Sequence, residues 1–236
     1  MMKKKLMLAA VSTGLVAAVG VGGTLAYLSA QSEQVTNTFA VGEGYIEEEG
    51  GDAKGIWLDE TLVDSETGEP VVPAQRTLEN EYNDLLPADT RMKDPTVSMI
   101  GGSVDSYVFV KVDGVDELNE KGVSVQDFNG DDWQLVAPEG EGTMDGIYIY
   151  KGDDLSYADA QGNKVVKVSD QEKGTKITLS TVFESIYVDS NITQDGLEAL
   201  QGNLNDIVLQ AVAVQADNNT ADNALEQAEA ILNGEQ

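Results

Sequence analysis

The sequence predicts a mainly β fold, a jelly-roll or immunoglobulin-like β-sandwich with a few short helices. Short runs of β-branched and aromatic residues recur along the chain. Asp-Gly, Gly-Asp and Gly-Asn steps punctuate these runs, as at Asp113-Gly114, Gly152-Asp153 and Gly162-Asn163. The clearest helical spacing lies at the C-terminal end. Many short strands separated by such turns are typical of sandwiches and jelly rolls.

The chain begins with the three parts of a secretory signal peptide. Three lysines at positions 3–5 are followed by an uncharged apolar run of 16 residues, Leu6 to Val21, and then by the small-residue stretch Gly22 to Ala26. The run is shorter than the ~20 residues of a membrane-spanning helix. We therefore predict cleavage between Ala26 and Tyr27, with an uncleaved N-terminal anchor as the alternative.

The strands are expected where apolar residues alternate or cluster. Val104 to Val112 carries apolar side chains on both faces, which predicts a central strand covered on both sides. Further strands are expected at Gly146–Lys151, Lys164–Val168, Thr175–Phe183 and Asp206–Gln215.

Two hairpins and two helices complete the prediction. Ile56 to Val72 is expected to form a hairpin at the edge of the main sheet, and Asn129-Gly130 is a strong hairpin signal between Val123–Phe128 and Trp133–Val136. A short helix is expected at Thr193–Leu200. The C-terminal helix is capped by Thr220 and stopped by Asn233-Gly234.

Several segments of the chain match a known pattern. The junction Gly22–Tyr27 and the stretch Asn37–Gly42 resemble the signal and mature N-terminus of secreted proteins of the TasA/camelysin family. Weaker similarities cover Leu85–Thr90, Lys93–Val97, Tyr107–Val112 and Leu209–Asp217. The resemblance implies export from a Gram-positive bacterium, processing by a SipW-type signal peptidase, a jelly-roll domain and a role in biofilm-matrix fibres.

The charge of the chain limits its partners. Removal of residues 1–26 removes three lysines and no acids, which leaves 11 of the 14 basic residues against 42 acidic ones, a formal charge of −31. Such a charge keeps a protein soluble and repels anionic polymers. Nucleic-acid binding needs clustered Lys and Arg, so we expect no nucleic-acid partner.

The composition also excludes several kinds of catalytic site. The chain has no His and no Cys, so it has no Ser-His-Asp triad, no Cys-His pair, no HExxH zinc motif and no disulfide. Some camelysin relatives carry a metalloprotease label, and this chain lacks the usual zinc ligands. We therefore predict that it has no catalytic residues and is not an enzyme.

One loop has a partial calcium-binding pattern. Asp127, Asn129 and Asp131 place oxygen atoms at positions 1, 3 and 5 of an EF-hand-like loop. Position 6 is Asp132 instead of Gly, and position 12 is Pro138 instead of a bidentate Glu. A β-turn is the favoured interpretation and Ca²⁺ binding the alternative, and we predict no other cofactor or metal.

The favoured hypothesis is a structural protein that assembles with itself. We divide the chain into a signal peptide (1–26), an extended N-terminal segment (27–44) and one β-sandwich domain (45–236). Val35, Phe39 and Val41 share one face of an extended strand. They are predicted to enter the sheet edge of a neighbouring copy by donor-strand exchange, with Tyr27–Gln34 a free tail before them. The alternative for this strand is pairing within its own subunit.

Other functions stay open at this point. Other matrix proteins are possible further partners. A monomeric surface adhesin or carbohydrate-binding module is the alternative function, and a camelysin-like secreted protease is a third.

Overall fold

A long antiparallel pair of strands organises the fold. In the computed structural model, β6 (Ser106–Asp113) and β14 (Val208–Gln215) pair along their full lengths, with Ser106 opposite Gln215 and Asp113 opposite Val208. Both strands are rich in β-branched or small apolar residues, which fit a pleated surface covered on both faces. The structure describes residues 29–31, 45–51, 54–83, 85–193, 196–197, 200 and 207–234.

The first layer is a seven-stranded sheet built around this pair. On one side of β14 lies β1 (Ser29–Gln31), and β6 is bordered on its other side by two further pairs of strands. One pair is β9 (Gly146–Tyr150) with β8 (Trp133–Pro138), and the other is β11 (Lys164–Val166) with β10 (Ser156–Ala158).

The second layer contains two smaller antiparallel sheets. The four-stranded sheet has the order β12 (Lys176–Thr181), β5 (Thr96–Ile100), β2 (Ile56–Thr61), β3 (Arg76–Thr77). The three-stranded sheet has the order β4 (Thr90–Met92), β13 (Ser185–Val188), β7 (Val123–Gln126). A short helix, α1 (Val115–Glu120), connects β6 to β7.

Apolar side chains lie on both faces of the seven-stranded sheet. The inner face of β6 buries Val108, Val110 and Val112 against the second layer. Its outer face buries Tyr107 and Phe109 beneath the C-terminal helix α2 (Ala221–Leu232). α2 covers the sheet with Ala221, Ala224, Ala228 and Leu232, which recur at helical spacing. The predicted β-sandwich with a C-terminal helix and a doubly covered central strand is therefore confirmed.

The predicted hairpin at Asn129-Gly130 is wrong in its pairing. Asn129 and Gly130 do form a turn, in which the backbone N–H groups of Asp132 and Trp133 donate to the Asn129 carbonyl. The flanking strands nevertheless belong to different sheets, because β7 pairs with β13 and β8 pairs with β9.

The strand at Ile56 also lies elsewhere than expected. β2 pairs with β5 inside the four-stranded sheet and is not at the edge of the main sheet. Its hairpin partner is the two-residue strand β3. The predicted turn at Thr67-Gly68 does form: Val63 pairs with Pro70 in an isolated antiparallel bridge, and the Val71 N–H donates to the Leu62 carbonyl. Val72 itself is almost fully exposed at 95%.

The two helices begin at the predicted residues. The Thr193 side chain accepts a hydrogen bond from the Gly196 N–H, and Gly196, Leu197 and Leu200 are helical. Thr220 caps α2 by accepting from the Asn223 N–H, and Gly234 follows the helix with a left-handed φ of 70°.

Removal of this cap provides a test of the helix boundary. Thr220→Ala should lower the free energy of unfolding by about 1 kcal/mol, because the first turn of α2 loses its side-chain acceptor. Thr220→Ser retains the hydroxyl and should lose much less. Urea unfolding followed by circular dichroism measures both, and equal losses in the two variants would contradict the assigned cap.

Candidate self-assembly interface

The predicted cleavage and assembly residues lie outside the described part of the chain. These are Ala26, Tyr27, Val35, Phe39 and Val41. The described residues nearest to them in the sequence are Ser29–Gln31 and Tyr45.

The first segment that the structure describes is a strand on the side of β14 that faces away from β6. Ser29 lies opposite Val214, Ala30 opposite Ala213, and Gln31 opposite Val212. The expectation of a free tail at Tyr27–Gln34 is thus wrong for these three residues. β1 also approaches β2 in the second layer. We call this place the seam: β1, residues 212–214 of β14, and the neighbouring part of β2.

Tyr45 fixes the chain where it enters the sandwich domain. Its side chain is 6% exposed, and its hydroxyl donates to the carbonyl of Ala213 at 3.0 Å and lies 3.2 Å from the Ser106 hydroxyl. Burial raises the pKa of the Tyr45 hydroxyl well above its ordinary value, so it remains a neutral donor. Ala213 is also the residue opposite Ala30. Ala30 and Tyr45, which stand on either side of residues 32–44 in the sequence, therefore lie beside the same residue of β14.

β2, the part of the seam that belongs to the second layer, is held in place by ion pairs. The Asp59 carboxylate is 6% exposed and lies 2.8 Å from the Arg76 guanidinium and 2.6 Å from the Lys176 ammonium. It also accepts from the indole N–H of Trp57 at 3.1 Å. The next residue, Glu60, pairs with Lys93 at 3.0 Å. Asp59 and Glu60 are consecutive residues of a strand, so their side chains face opposite sides of the sheet, and their ion pairs hold β2 from both faces.

Arg76 extends this network beyond the four-stranded sheet. Its guanidinium also lies 3.0 Å from the Asp94 carboxylate, which in turn accepts from the backbone N–H and hydroxyl of Thr61. The Lys176 ammonium lies 5.4 Å from the ring centroid of Trp57, in range for a cation–π contact. These contacts join β2, β3 and β12 and leave the Trp57 ring partly covered.

A second carboxylate cluster has a structural role. Asp145 accepts from the N–H groups of Val115 and Asp116, at the start of α1. Asp116 accepts from the Thr143 hydroxyl and the Met144 N–H. The Thr143 hydrogen bond lowers the pKa of Asp116, whereas burial raises the pKa of Asp145. The two carboxylates clamp α1 to the loop before β9.

The partial calcium loop uses its polar atoms within the turn. The Asn129 side-chain amide donates to the Asp132 carboxylate at 3.1 Å and to the Thr181 carbonyl at 3.3 Å. In the part of the chain that the structure describes, no group of three or more acidic side chains converges as metal ligands would. A Ca²⁺ site at this loop remains a prediction without a supporting contact.

Comparison with known proteins does not identify the chain. No protein-family description, curated protein or solved structure matches it. Among the described residues, no helix is long and apolar enough to cross a membrane.

Sequence reasoning missed the strand nearest the cleavage position. Ser29–Gln31 has no β-branched or aromatic residue and no apolar alternation, so its pairing is decided by the free edge of β14. The ion pairs of Asp59 and Glu60 were also missed, because acidic residues are too abundant in this chain for buried ones to stand out.

The Asp59 network allows a test of how firmly β2 is held. Asp59→Asn should lower the free energy of unfolding by about 2–3 kcal/mol. This is at or below the lower end of the ~3–5 kcal/mol range for breaking a buried pair, because Arg76 and Lys176 are 38% and 28% exposed. The matched variant is Glu47→Gln, whose pair with Lys54 is exposed, and it should change stability by less than ~1 kcal/mol. Urea unfolding distinguishes the two, and equal effects would contradict the role of Asp59.

Proposed function

We propose that this chain is a secreted structural protein that assembles into extracellular matrix fibres by exchange of its N-terminal strand. The observation that supports the proposal most directly is the pairing of β1 with β14. A three-residue strand at a sheet edge, joined to the domain by residues 32–44, is a segment that a neighbouring copy can supply equally well.

The connecting segment is long enough for this exchange. Residues 32–44 are 13 residues and span at most about 43–47 Å when extended. A domain the size of 45–236 has a radius of gyration of about 16 Å, and therefore a diameter of roughly 40 Å. The strand of one subunit can thus reach β14 of the next while Tyr45 stays bound to Ala213 of its own subunit.

A donated strand in the register of β1 can form a longer ladder than the three pairs of the structure. In that register Val35 pairs with Val208, the first residue of β14, which gives seven consecutive pairs from Ser29 to Val35. Phe39 and Val41 then lie past the start of β14 and are available to contact the neighbouring domain.

The geometry of such a contact favours filaments. The strand and the β14 edge that receives it are different surfaces of one chain, so the contact is heterologous and does not close on itself. The absence of His and Cys supports a role in structure over a role in catalysis. In this proposal a SipW-type peptidase processes the chain, and the main partner is a second copy of the same chain.

Deletion of the N-terminal segment tests the proposal. The mature chain should form filaments visible by negative-stain electron microscopy, and a chain lacking Tyr27–Val41 should remain a folded monomer. Circular dichroism establishes whether the shortened chain is folded. Filaments of unchanged abundance would contradict strand exchange, and an unfolded product would show that the strand belongs to its own subunit.

A designed disulfide tests which subunit supplies the strand. Ala30→Cys and Ala213→Cys place thiols on opposite residues of an antiparallel pair, a separation of about 4.5–5.5 Å that a disulfide can bridge. The chain has no other Cys. Oxidation of the monomer should lock the strand in place and prevent filament growth until a reducing agent is added.

Oxidation after assembly should give the opposite result. Filaments of the double variant should yield a ladder of covalently linked chains on a non-reducing gel, whereas either single variant should give at most dimers. A single-chain band from oxidised filaments, or growth of filaments from the locked monomer, would contradict exchange at β14.

A further inference from the structure

The hydrogen bonds of β14 show which of its backbone groups face β1. The backbone N–H of Ala216 donates to the carbonyl of Asp105 at 2.9 Å, and this pair continues the register of Gln215 opposite Ser106 by one step. In an antiparallel ladder, opposite residues alternate between pairs that exchange hydrogen bonds and pairs that do not. Every second residue counted back from Ala216 therefore bonds to β6. The residues between them, among them Gln215 and Ala213, direct their N–H and C=O groups towards β1.

Both of these outward carbonyls have a side-chain donor that does not belong to β1. The Tyr45 hydroxyl donates to the Ala213 carbonyl at 3.0 Å, and the Asn219 side-chain amide donates to the Gln215 carbonyl at 3.2 Å. Ala213 is fully buried and lies opposite Ala30, so the ladder also assigns its carbonyl to the Ala30 N–H. A carbonyl oxygen has two lone pairs and can accept both bonds. The Tyr45 hydroxyl thus shares its acceptor with β1 instead of competing with it.

The shared acceptor makes the Tyr45 hydroxyl most important when β1 is withdrawn. With β1 in place, the Ala213 carbonyl accepts from the Ala30 N–H, so the second donor adds little. With β1 withdrawn, the Tyr45 hydroxyl still donates to this carbonyl, which is otherwise left without its partner in the ladder. The hydroxyl therefore lowers the free energy of the state in which the edge of β14 is vacant.

We propose that Tyr45 is a positioning residue for strand exchange, whose hydroxyl holds the Ala213 carbonyl while the edge of β14 is vacant and so speeds the replacement of β1 by the strand of a second copy. Asn219 holds the next outward carbonyl, that of Gln215, whether or not β1 is present. The inference rests on the proposed exchange at β14. The edge is occupied both in the closed monomer and in the filament, so Tyr45 changes the rate of assembly and not its final extent.

The donation by Tyr45 does not depend on its other polar neighbour. The Tyr45 hydroxyl lies 3.2 Å from the hydroxyl of Ser106, which donates its own proton to the Val104 carbonyl at 3.0 Å. Removal of the Ser106 hydroxyl therefore leaves the Tyr45 proton directed at Ala213. This separates the proposed role of Tyr45 from a general effect of losing a buried hydroxyl at the same place.

The experiment measures amide hydrogen exchange of the monomeric mature chain by NMR. The Ala30 N–H reports on opening of β1, and the Phe109 N–H, inside the ladder of β6 and β14, reports on global unfolding. Tyr45→Phe keeps the ring and removes the hydroxyl. It should increase the protection of Ala30 about three- to tenfold, the effect of one net hydrogen bond, without increasing that of Phe109. A Tyr45 with only a structural role gives the opposite sign, because its loss loosens the strands that it contacts.

The matched control is Ser106→Ala, which removes a hydroxyl from the same cluster and retains the Tyr45 donor. It should not increase the protection of Ala30. Circular dichroism establishes that both variants are folded. Protection of Ala30 that is unchanged or lower in Tyr45→Phe, or an equal increase in Ser106→Ala, would overturn the proposal.

The growth of filaments gives a second readout. Tyr45→Phe should slow growth by a factor similar to the change in Ala30 protection and leave the final amount of filament unchanged. Filaments together with an Ala30 protection that Tyr45→Phe does not increase would overturn only this inference. Increased protection of Ala30 in a chain that forms no filaments would support the role of Tyr45 and count against the proposed function.

Discussion

The structure depends on the two hydrogen-bonding edges of β14. One edge pairs with β6 along eight residues and closes the main sheet, while the other pairs with the three residues of β1. A long ladder holds its strand firmly, and a short ladder at a sheet edge opens at small cost. The same strand therefore belongs to the stable core on one side, and on the other it carries only the short ladder that the proposed exchange would replace.

Electrostatic repulsion opposes both the fold and the proposed assembly. The full chain carries a formal charge of −28, and the chain without residues 1–26 one of −31, and net charge of this size repels neighbouring copies. Several of its few cations are placed at the second layer, where Arg76, Lys93 and Lys176 pair with buried carboxylates of β2. Those pairs keep β2 in place beside the seam. Segment 34–42, by contrast, carries no charge and can approach another subunit with less repulsion.

Local sequence patterns predicted most of the strands and few of their partners. β6, β9 and β14 were predictable because β-branched and aromatic residues mark them directly. The partner of β8 was not: the turn at Asn129-Gly130 predicted pairing with the preceding strand, whereas β8 pairs with the next strand, β9, and Trp133 packs edge-to-face on Tyr150 directly opposite, at 5.2 Å between ring centroids. β1 carries no apolar pattern at all and forms only because β14 has a free edge. The sequence thus led to the hypothesis of strand exchange, and only the fold showed that β14 is the strand whose edge is occupied by β1.

The most direct test of this account is the chain connectivity in a filament. Electron cryomicroscopy of assembled mature protein should show a strand beside β14 whose density continues to Tyr45 of the neighbouring subunit. Density that runs from that strand to Tyr45 of the same subunit would contradict strand exchange and make β1 an ordinary edge strand.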